Sequence, residues 1–296
     1  MTAPLRPADV ARLVTLGAIW GGSFIFIRVL APVIGPWATA GSRVLVGGLV
    51  LVAYAVATAR SARLQRFWPA YVTVGVVNSA IPFVLWGFAA LHLPASYLAI
   101  LNSTTPLFAA LLATIWLDER LTILKLAGLA CGCAGVALVS NAGPVMPRAV
   151  FGWAVAASLI AAFCYAVSGV YLRRKAAQAP PLAVAGWSQI AAGVILAPLV
   201  IAVPSPLSSA ALHDPVIVAD ALALAIVCSA IAYLLYYRLM QDVGPTRTFT
   251  VTFLIPLFGM LWGALFLNES ITWPMLAGCA LVIAGTLGVL RPAPVR

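Results

Sequence analysis

One pattern occurs twice in this chain, at residues 102–128 and 252–278, and no other feature constrains the fold as tightly. Pro106-Leu107-Phe108 aligns with Pro256-Leu257-Phe258, Glu119 with Glu269, Thr122 with Thr272, and Leu126-Ala127-Gly128 with Leu276-Ala277-Gly278. A fixed offset of 150 gives 18 identities over the 61 positions of 79–139, without a gap. Apolar composition inflates that figure, but it does not explain the matches at Ser79/Ser229, Pro106/Pro256, Glu119/Glu269 and the paired glycines. Earlier positions align at an offset near 145, pairing Trp20 with Tyr165, Ser23 with Ser168 and Arg28 with Arg173.

The repeat lies in a chain that is 64% hydrophobic and 8% charged. A soluble domain carries about 25% charged residues, so this is the composition of a polytopic membrane protein. Ten runs reach the roughly 20 apolar residues that a span needs: 13–31, 37–59, 69–91, 95–117, 122–140, 150–172, 181–203, 217–240, 244–267 and 272–290. Turn residues separate them, as at Gly35-Pro36, Leu93-Pro94, Gly143-Pro144, Pro180-Pro181, Pro204-Ser205-Pro206 and Gly244-Pro245. Each copy of the repeat holds five spans. Five is odd, so the copies lie upside down relative to each other. The expected fold is all-α: ten transmembrane helices as two inverted five-helix repeats, 1–141 and 142–296, around a central cavity. Inverted repeats are an architecture of secondary transporters.

Net charge is +10, from 17 Lys+Arg against 7 Asp+Glu. The basic residues sit between apolar runs and not on a soluble surface, so nucleic acid is not expected as a partner. One set of connections holds fourteen of them: Arg6, Arg12, Arg60, Arg63, Arg66, Arg120, Lys125, Arg173, Arg174, Lys175, Arg238, Arg247, Arg291 and Arg296. The other side has only Arg28, Arg43 and Arg148. By the positive-inside rule both termini are cytoplasmic, and the expected location is the cell inner membrane, with the bilayer as partner. The first run is long enough to span and is expected to stay uncleaved. The five cysteines lie in apolar runs without metal or disulfide spacing. His92 and His213 fall in outer loops, and no nucleophile or metal motif accompanies them. No cofactor, metal or enzymatic activity is expected. Gly128, Gly132 and Gly135 give one small-residue face and Gly278, Gly285 and Gly288 another, for packing inside a monomer.

Several residues are candidates for lining a cavity. Trp20 and Ser23 are three apart, as are Tyr165 and Ser168; Asn78, Pro82 and Trp86 share a face, with Ser79 at its edge. Ser229, Tyr233 and Tyr236 follow the i, i+4, i+7 pattern. The repeat maps Ser79 to Ser229 and Trp86 to Tyr236. Trp86 lies past mid-depth toward the outside and Tyr236 past it toward the cytoplasm, the arrangement of one aromatic gate on each side. Bulk facing lipid is the alternative reading for such aromatics. Pro106 and Pro256 lie near the middle of their spans, where proline removes a hydrogen bond and pushes on the carbonyls of Asn102 and Thr252. With Asn102, Ser103, Thr104 and Thr105 alongside, the two prolines read as symmetric hinges or as ordinary kinks.

Arg43 lies about six residues inside the second run, about 9 Å of helix. It has three readings: binding a substrate carboxylate, snorkelling to the interface, or pairing with an outer acid such as Glu269. No Asp or Glu lies at the middle of a span. Asp118, Glu119, Asp242 and Glu269 are at helix ends, where Thr122 and Thr272 can cap the following helices.

The Ala-Ile-Trp-Gly run at 18–21, the second helix with Arg43, and Pro106 to Ala109 leading to Asp118-Glu119-Arg120-Leu121-Thr122 resemble the drug/metabolite transporter superfamily. With Pro256-Leu257-Phe258 leading to Asn268-Glu269-Ser270-Ile271-Thr272, the resemblance is to its ten-helix type with two tandem EamA domains, and it covers nearly the whole chain. It implies transport of a small molecule, and the likeness is greatest to bacterial exporters of amino acids, including aromatic ones. The four-helix multidrug members carry a carboxylate in their first helix, where this chain has Ala-Ile-Trp-Gly-Gly-Ser. That departure speaks for a uniporter or exchanger. Proton-coupled export of another metabolite or drug class is the alternative, and a channel or an intramembrane enzyme is more remote.

Overall fold

The computed structural model describes residues 6–119, 121–141, 147–203 and 213–290. The turns expected at Gly143-Pro144 and Pro204-Ser205-Pro206, and Arg120, Arg291 and Arg296, lie outside these residues. Regular structure in the described residues is helical throughout. The helices are α1 Pro7–Ile34, α2 Pro36–Ala57, α3 Leu64–Ala90, α4 Ala95–Trp116 and α5 Ile123–Asn141. They continue as α6 Arg148–Lys175, α7 Pro181–Ala202, α8 Pro215–Asp242, α9 Val251–Leu267 and α10 Trp273–Leu290. Nine of the ten expected spans each fall on one helix; the span 244–267 covers α9 and a short segment before it. α9 has 17 residues, about 26 Å at 1.5 Å per residue. A separate turn, Pro245–Thr248, precedes it.

Local chemistry sets the boundaries. Pro7, Pro36, Pro181 and Pro215 each open a helix, where the missing N–H costs nothing. Gly35 alone separates α1 from α2 at φ 82°, a conformation glycine adopts without a Cβ clash. The Asp214 carboxylate accepts from the Val216 N–H at 2.8 Å and caps α8.

Two ion-pair and capping sites tie distant segments together. Glu119 accepts from Lys125 Nζ and Arg173 Nη2, both at 3.0 Å. The Lys125 hydrogen bond, aided by Arg173 and opposed by partial burial, holds its carboxyl below the usual carboxylate range. Glu269 accepts from the backbone N–H groups of Ala95 (2.6 Å) and Ser96 (3.0 Å), and from the Ser96 hydroxyl (2.6 Å). It thus satisfies the exposed donors at the N-terminus of α4. The expected helix-end role is therefore played on a helix other than its own. Thr122 Oγ1 accepts from the Lys125 N–H at 3.2 Å, whereas Thr272 Oγ1 is buried without a partner.

Helix pairing follows the repeat. α5 packs along α10, α2 along α7, and α4 against α9. α1 packs on α9 as α6 does on α4, and α3 meets α6 and α7 as α8 meets α1 and α2. Exchanging every helix for the one five places away leaves these pairings unchanged, whereas α1 also meets α2, α3 and α4, and α10 meets α4, without such counterparts. The α5–α10 contact is glycine-mediated. A Cβ on Gly128 would lie 2.6 Å from the Gly285 carbonyl oxygen, and one on Gly135 would lie 2.7 Å from that of Gly278. Within lipid, helices associate through such close packing because apolar burial offers little between them. Gly128→Val should therefore force backbones apart, costing about 1–3 kcal/mol. Thermal unfolding in detergent checks this, with a lowered midpoint as the expected outcome.

One face carries both the start of α1 and the end of α8: Arg12 Nη1 donates to Asp242 Oδ2 at 2.7 Å. Arg66 Nη2, at the start of α3, donates to Gln178 beyond α6 at 2.8 Å. We call this the terminal face and its opposite the distal face. A single continuous apolar core fills the distal half, including Leu30, Leu93, Leu98, Ile100 and Trp86. The terminal half holds four smaller clusters instead, centred on Tyr71, Leu239, Leu51 and Val170.

Candidate functional site

The buried stripe of α2 runs through Thr39, Ala40, Arg43, Val44, Gly47, Gly48 and Leu51. Its glycines let α2 come close to its neighbours: a Cβ on Gly47 would lie 2.9 Å from the Ala225 carbonyl oxygen and 3.0 Å from Gln189 Oε1. Arg43 falls on this stripe, so its side chain enters the bundle. It is 7% exposed. Its Nε donates to Ser229 Oγ at 3.0 Å, and its guanidinium carbon lies 4.0 Å from the Phe83 ring centroid. Its charge reaches Tyr165, Tyr233 and Cys228. Its two terminal nitrogens have no acceptor among the described residues, and no carboxylate pairs with it. Snorkelling and pairing with Glu269 are both set aside by this geometry, since the side chain points inward and Glu269 caps α4.

Ser229 stands in a wider helical turn. Residues Ala223–Ile231 are π-helical, as are Gly75–Ala80 in α3. The two segments coincide under the 150-residue offset and carry Ser229 and Ser79. Such bulges are frequent at functional sites. The Ser229 hydroxyl reaches back to the Leu224 carbonyl, five residues earlier, at 3.3 Å. Ser79 Oγ and Gln189 Oε1 are buried and unpartnered. Gln189 is the repeat mate of Arg43, as Ser79 is of Ser229.

Aromatic side chains surround these polar groups. Trp20 lies 5.5 Å from Tyr236 and 6.2 Å from Tyr233 between ring centroids. Asn78 Nδ2 donates to the Tyr233 hydroxyl at 3.4 Å. Trp86 Nε1 donates to the Tyr165 hydroxyl at 3.2 Å, and Phe24 packs edge-on against Trp86 at 5.2 Å. Trp20–Tyr236 and Tyr165–Trp86 are the same pair in the two copies, one toward each face. They differ in exposure. Trp86 is 1% exposed within the distal core, while Trp20, Asn78, Tyr165, Tyr233 and Tyr236 are half-buried.

Five of the expected residues stand apart from this group. Ser23 donates to its own helix at the Trp20 carbonyl, 2.6 Å away. Ser168 Oγ is buried without a partner. Asn102 is half-buried, and its carbonyl accepts from Thr105 Oγ1 at 2.7 Å. Pro106 does not itself mark the break in α4. The break lies at Ser103-Thr104, closed by i to i+3 bonds to Ile100 and Leu101, and Pro106 is the second residue of the following helix. Pro256 sits inside the continuous α9; the interruption there falls at Phe249-Thr250. The two prolines are therefore not structural equivalents. An apolar groove of about 390 Å³ between α2, α7 and α8, lined by Leu45 and Val218 among others, holds none of the site's charged or aromatic groups.

A family model described as the EamA-like transporter family matches residues 10–141 and again 152–291. The chain belongs to this family. It is a multi-pass membrane protein and a transporter. Among its relatives is the uncharacterized transporter YvbV of Bacillus subtilis, 26% identical over 271 residues, covering 92% of this chain and 88% of the relative. A probable terminal-alkyne amino-acid exporter of Streptantibioticus cattleyicolor is 26% identical over 282 residues, covering 94% and 92%. An S-adenosylmethionine/S-adenosylhomocysteine transporter of Chlamydia trachomatis is 27% identical over 278 residues, covering 90% and 84%. A crystal structure sharing 20% identity superposes with a TM-score of 0.67 over 96% of each chain, which supports the fold alone.

Phe83, Gln189 and Tyr237 also belong to the site, though the residue patterns do not single them out. Tyr237 stacks on Tyr233 at 6.1 Å. The inward aim of Arg43 was available from the stripe it shares with Gly47 and Gly48. Depth alone favoured snorkelling.

Proposed function

We propose that this transporter is an alternating-access uniporter or exchanger that moves small amphiphilic metabolites bearing a carboxylate out across the cell inner membrane. Amino acids, including aromatic ones, and carboxylates without a free amine are the two branches of this class. The observation that carries the reading is Arg43: a buried guanidinium, held by Ser229 and Phe83, with two terminal nitrogens and no protein carboxylate. An intramembrane charge without a partner is a functional site by default, and a guanidinium fork matches a carboxylate. The half-buried Trp20, Tyr165, Tyr233 and Tyr236 supply flat apolar walls. The names of two relatives, an amino-acid exporter and an S-adenosylmethionine/S-adenosylhomocysteine transporter, agree with a small organic substrate.

Both termini are cytoplasmic in this proposal, which follows the basic residues. The continuous distal core and the divided terminal half support an inward-facing reading. The broken turn at Ser103-Thr104, beside Pro106, is the point in α4 where bending is cheapest. No carboxylate lies at mid-depth to carry a proton. The test is a panel of labelled amino acids and related carboxylates in proteoliposomes, with and without a pH gradient. Saturable flux that is indifferent to the gradient is expected. Strict dependence on the gradient would favour a proton-coupled exporter.

A further inference from the structure

The charge balance of the site limits its substrate further, an inference that rests on the carrier reading above. The chain has seven acidic residues, and all seven are placed away from Arg43. Asp9 and Asp242 pair with Arg12 at the terminal face, and Glu119 pairs with Lys125 and Arg173. Asp214 caps α8, and Glu269 caps α4. Asp118 is exposed in the turn after α4. Asp220 lies nine residues before Ser229 on α8, about 13 Å along the axis. The repeat mate of Arg43 is the neutral Gln189. The site therefore carries one positive charge, that of Arg43.

An α-amino acid docked by its carboxylate on Arg43 would bring its ammonium, one carbon further on, toward the same guanidinium. Ser229, Asn78, Gln189 and the tyrosine hydroxyls are the polar groups around it among the described residues, and all are neutral. A buried cation without an anion is disfavoured, and like charges at this separation repel. A carboxylate whose nitrogen is acylated or absent neutralises Arg43 and adds nothing that needs pairing.

We infer that the site selects amphiphilic monoanions, aryl carboxylates without a free ammonium, over zwitterionic amino acids. In uniport, one net negative charge then leaves the cell per turnover. With the interior negative, the membrane potential itself drives export, and the carrier needs no proton-binding carboxylate. A potential of about 100 mV across the membrane shifts the distribution of a monoanion by about 50-fold.

The test uses the full chain in proteoliposomes with a potassium gradient and valinomycin setting the potential at neutral pH. The probes are labelled N-acetyl-L-phenylalanine and labelled L-phenylalanine, with protein-free liposomes as the leak control. With the interior about 100 mV positive, the N-acetyl compound should accumulate toward about 50-fold. Phenylalanine should be carried poorly and should not respond to the potential. Arg43→Gln should remove the N-acetyl flux, while its thermal unfolding midpoint shows that the protein is folded. A lower half-saturation for phenylalanine, or an N-acetyl distribution that ignores the potential, would overturn the inference and leave the carrier reading standing. Transport of neither probe would overturn both.

Discussion

Arg43→Gln should lower transport at sub-saturating substrate by about 100-fold or more while leaving the protein at least as stable. Removing one member of a buried charged pair costs about 2–5 kcal/mol, and here the pair forms only when a carboxylate docks. Among the described residues, the guanidinium is met by Ser229 and the Phe83 face and by no carboxylate. Replacing it with a neutral amide of similar shape relieves an unpaired charge, and the new side chain can still reach Ser229. The thermal midpoint should hold or rise. Arg43→Lys keeps the charge but loses the planar fork, so it should retain part of the flux at a raised half-saturation concentration. A structural arginine would behave in the opposite way, with both variants unfolding at lower temperature in proportion to their loss of transport.

Trp86→Ala and Tyr236→Ala should separate stability from transport, although the repeat makes these residues mates. Trp86 is 1% exposed in the distal core, against Phe24 and with its indole on Tyr165. Truncating a buried tryptophan costs about 3–5 kcal/mol, so Trp86→Ala should lower the unfolding midpoint sharply. Tyr236 is half-buried beside Trp20 at the terminal end of the site. Tyr236→Ala should leave the midpoint within a few degrees and raise the half-saturation concentration several-fold. Measuring midpoint and flux on the same preparations checks both. Equal loss of stability in the two variants would mean that the terminal half is as firmly closed as the distal one.

The architecture was legible because its determinants are local and repeated. Apolar run length placed ten helices, and prolines and Gly35 placed their starts. The repeat also anticipated which residues would be mates, and the structure pairs Trp20 with Tyr236 as it pairs Tyr165 with Trp86. The π-helical turns at Ser79 and Ser229 were not legible. They depend on how α3 and α8 pack against α7 and α2, and no residue type signals them. The exact position of the α4 break was not legible for a related reason. A proline four residues after a carbonyl disturbs a helix, but here the chain turns at Ser103-Thr104, and Pro106 then occupies a first-turn position that suits it. Arg43 shows the limit of arguing from depth. Its distance from the helix end allowed snorkelling, while the small residues one turn below it already marked the face that packs inward.

The central claim is that Arg43 receives a substrate carboxylate in a carrier. Counterflow tests it most directly. Proteoliposomes loaded with unlabelled N-acetyl-L-phenylalanine or with its neutral amide are diluted into the labelled acid. The account predicts saturable, transient accumulation of label when the acid is inside, none beyond leak when the amide is inside, and none in Arg43→Gln with either. A linear, unsaturated flux, or equal counterflow against acid and amide, would contradict it.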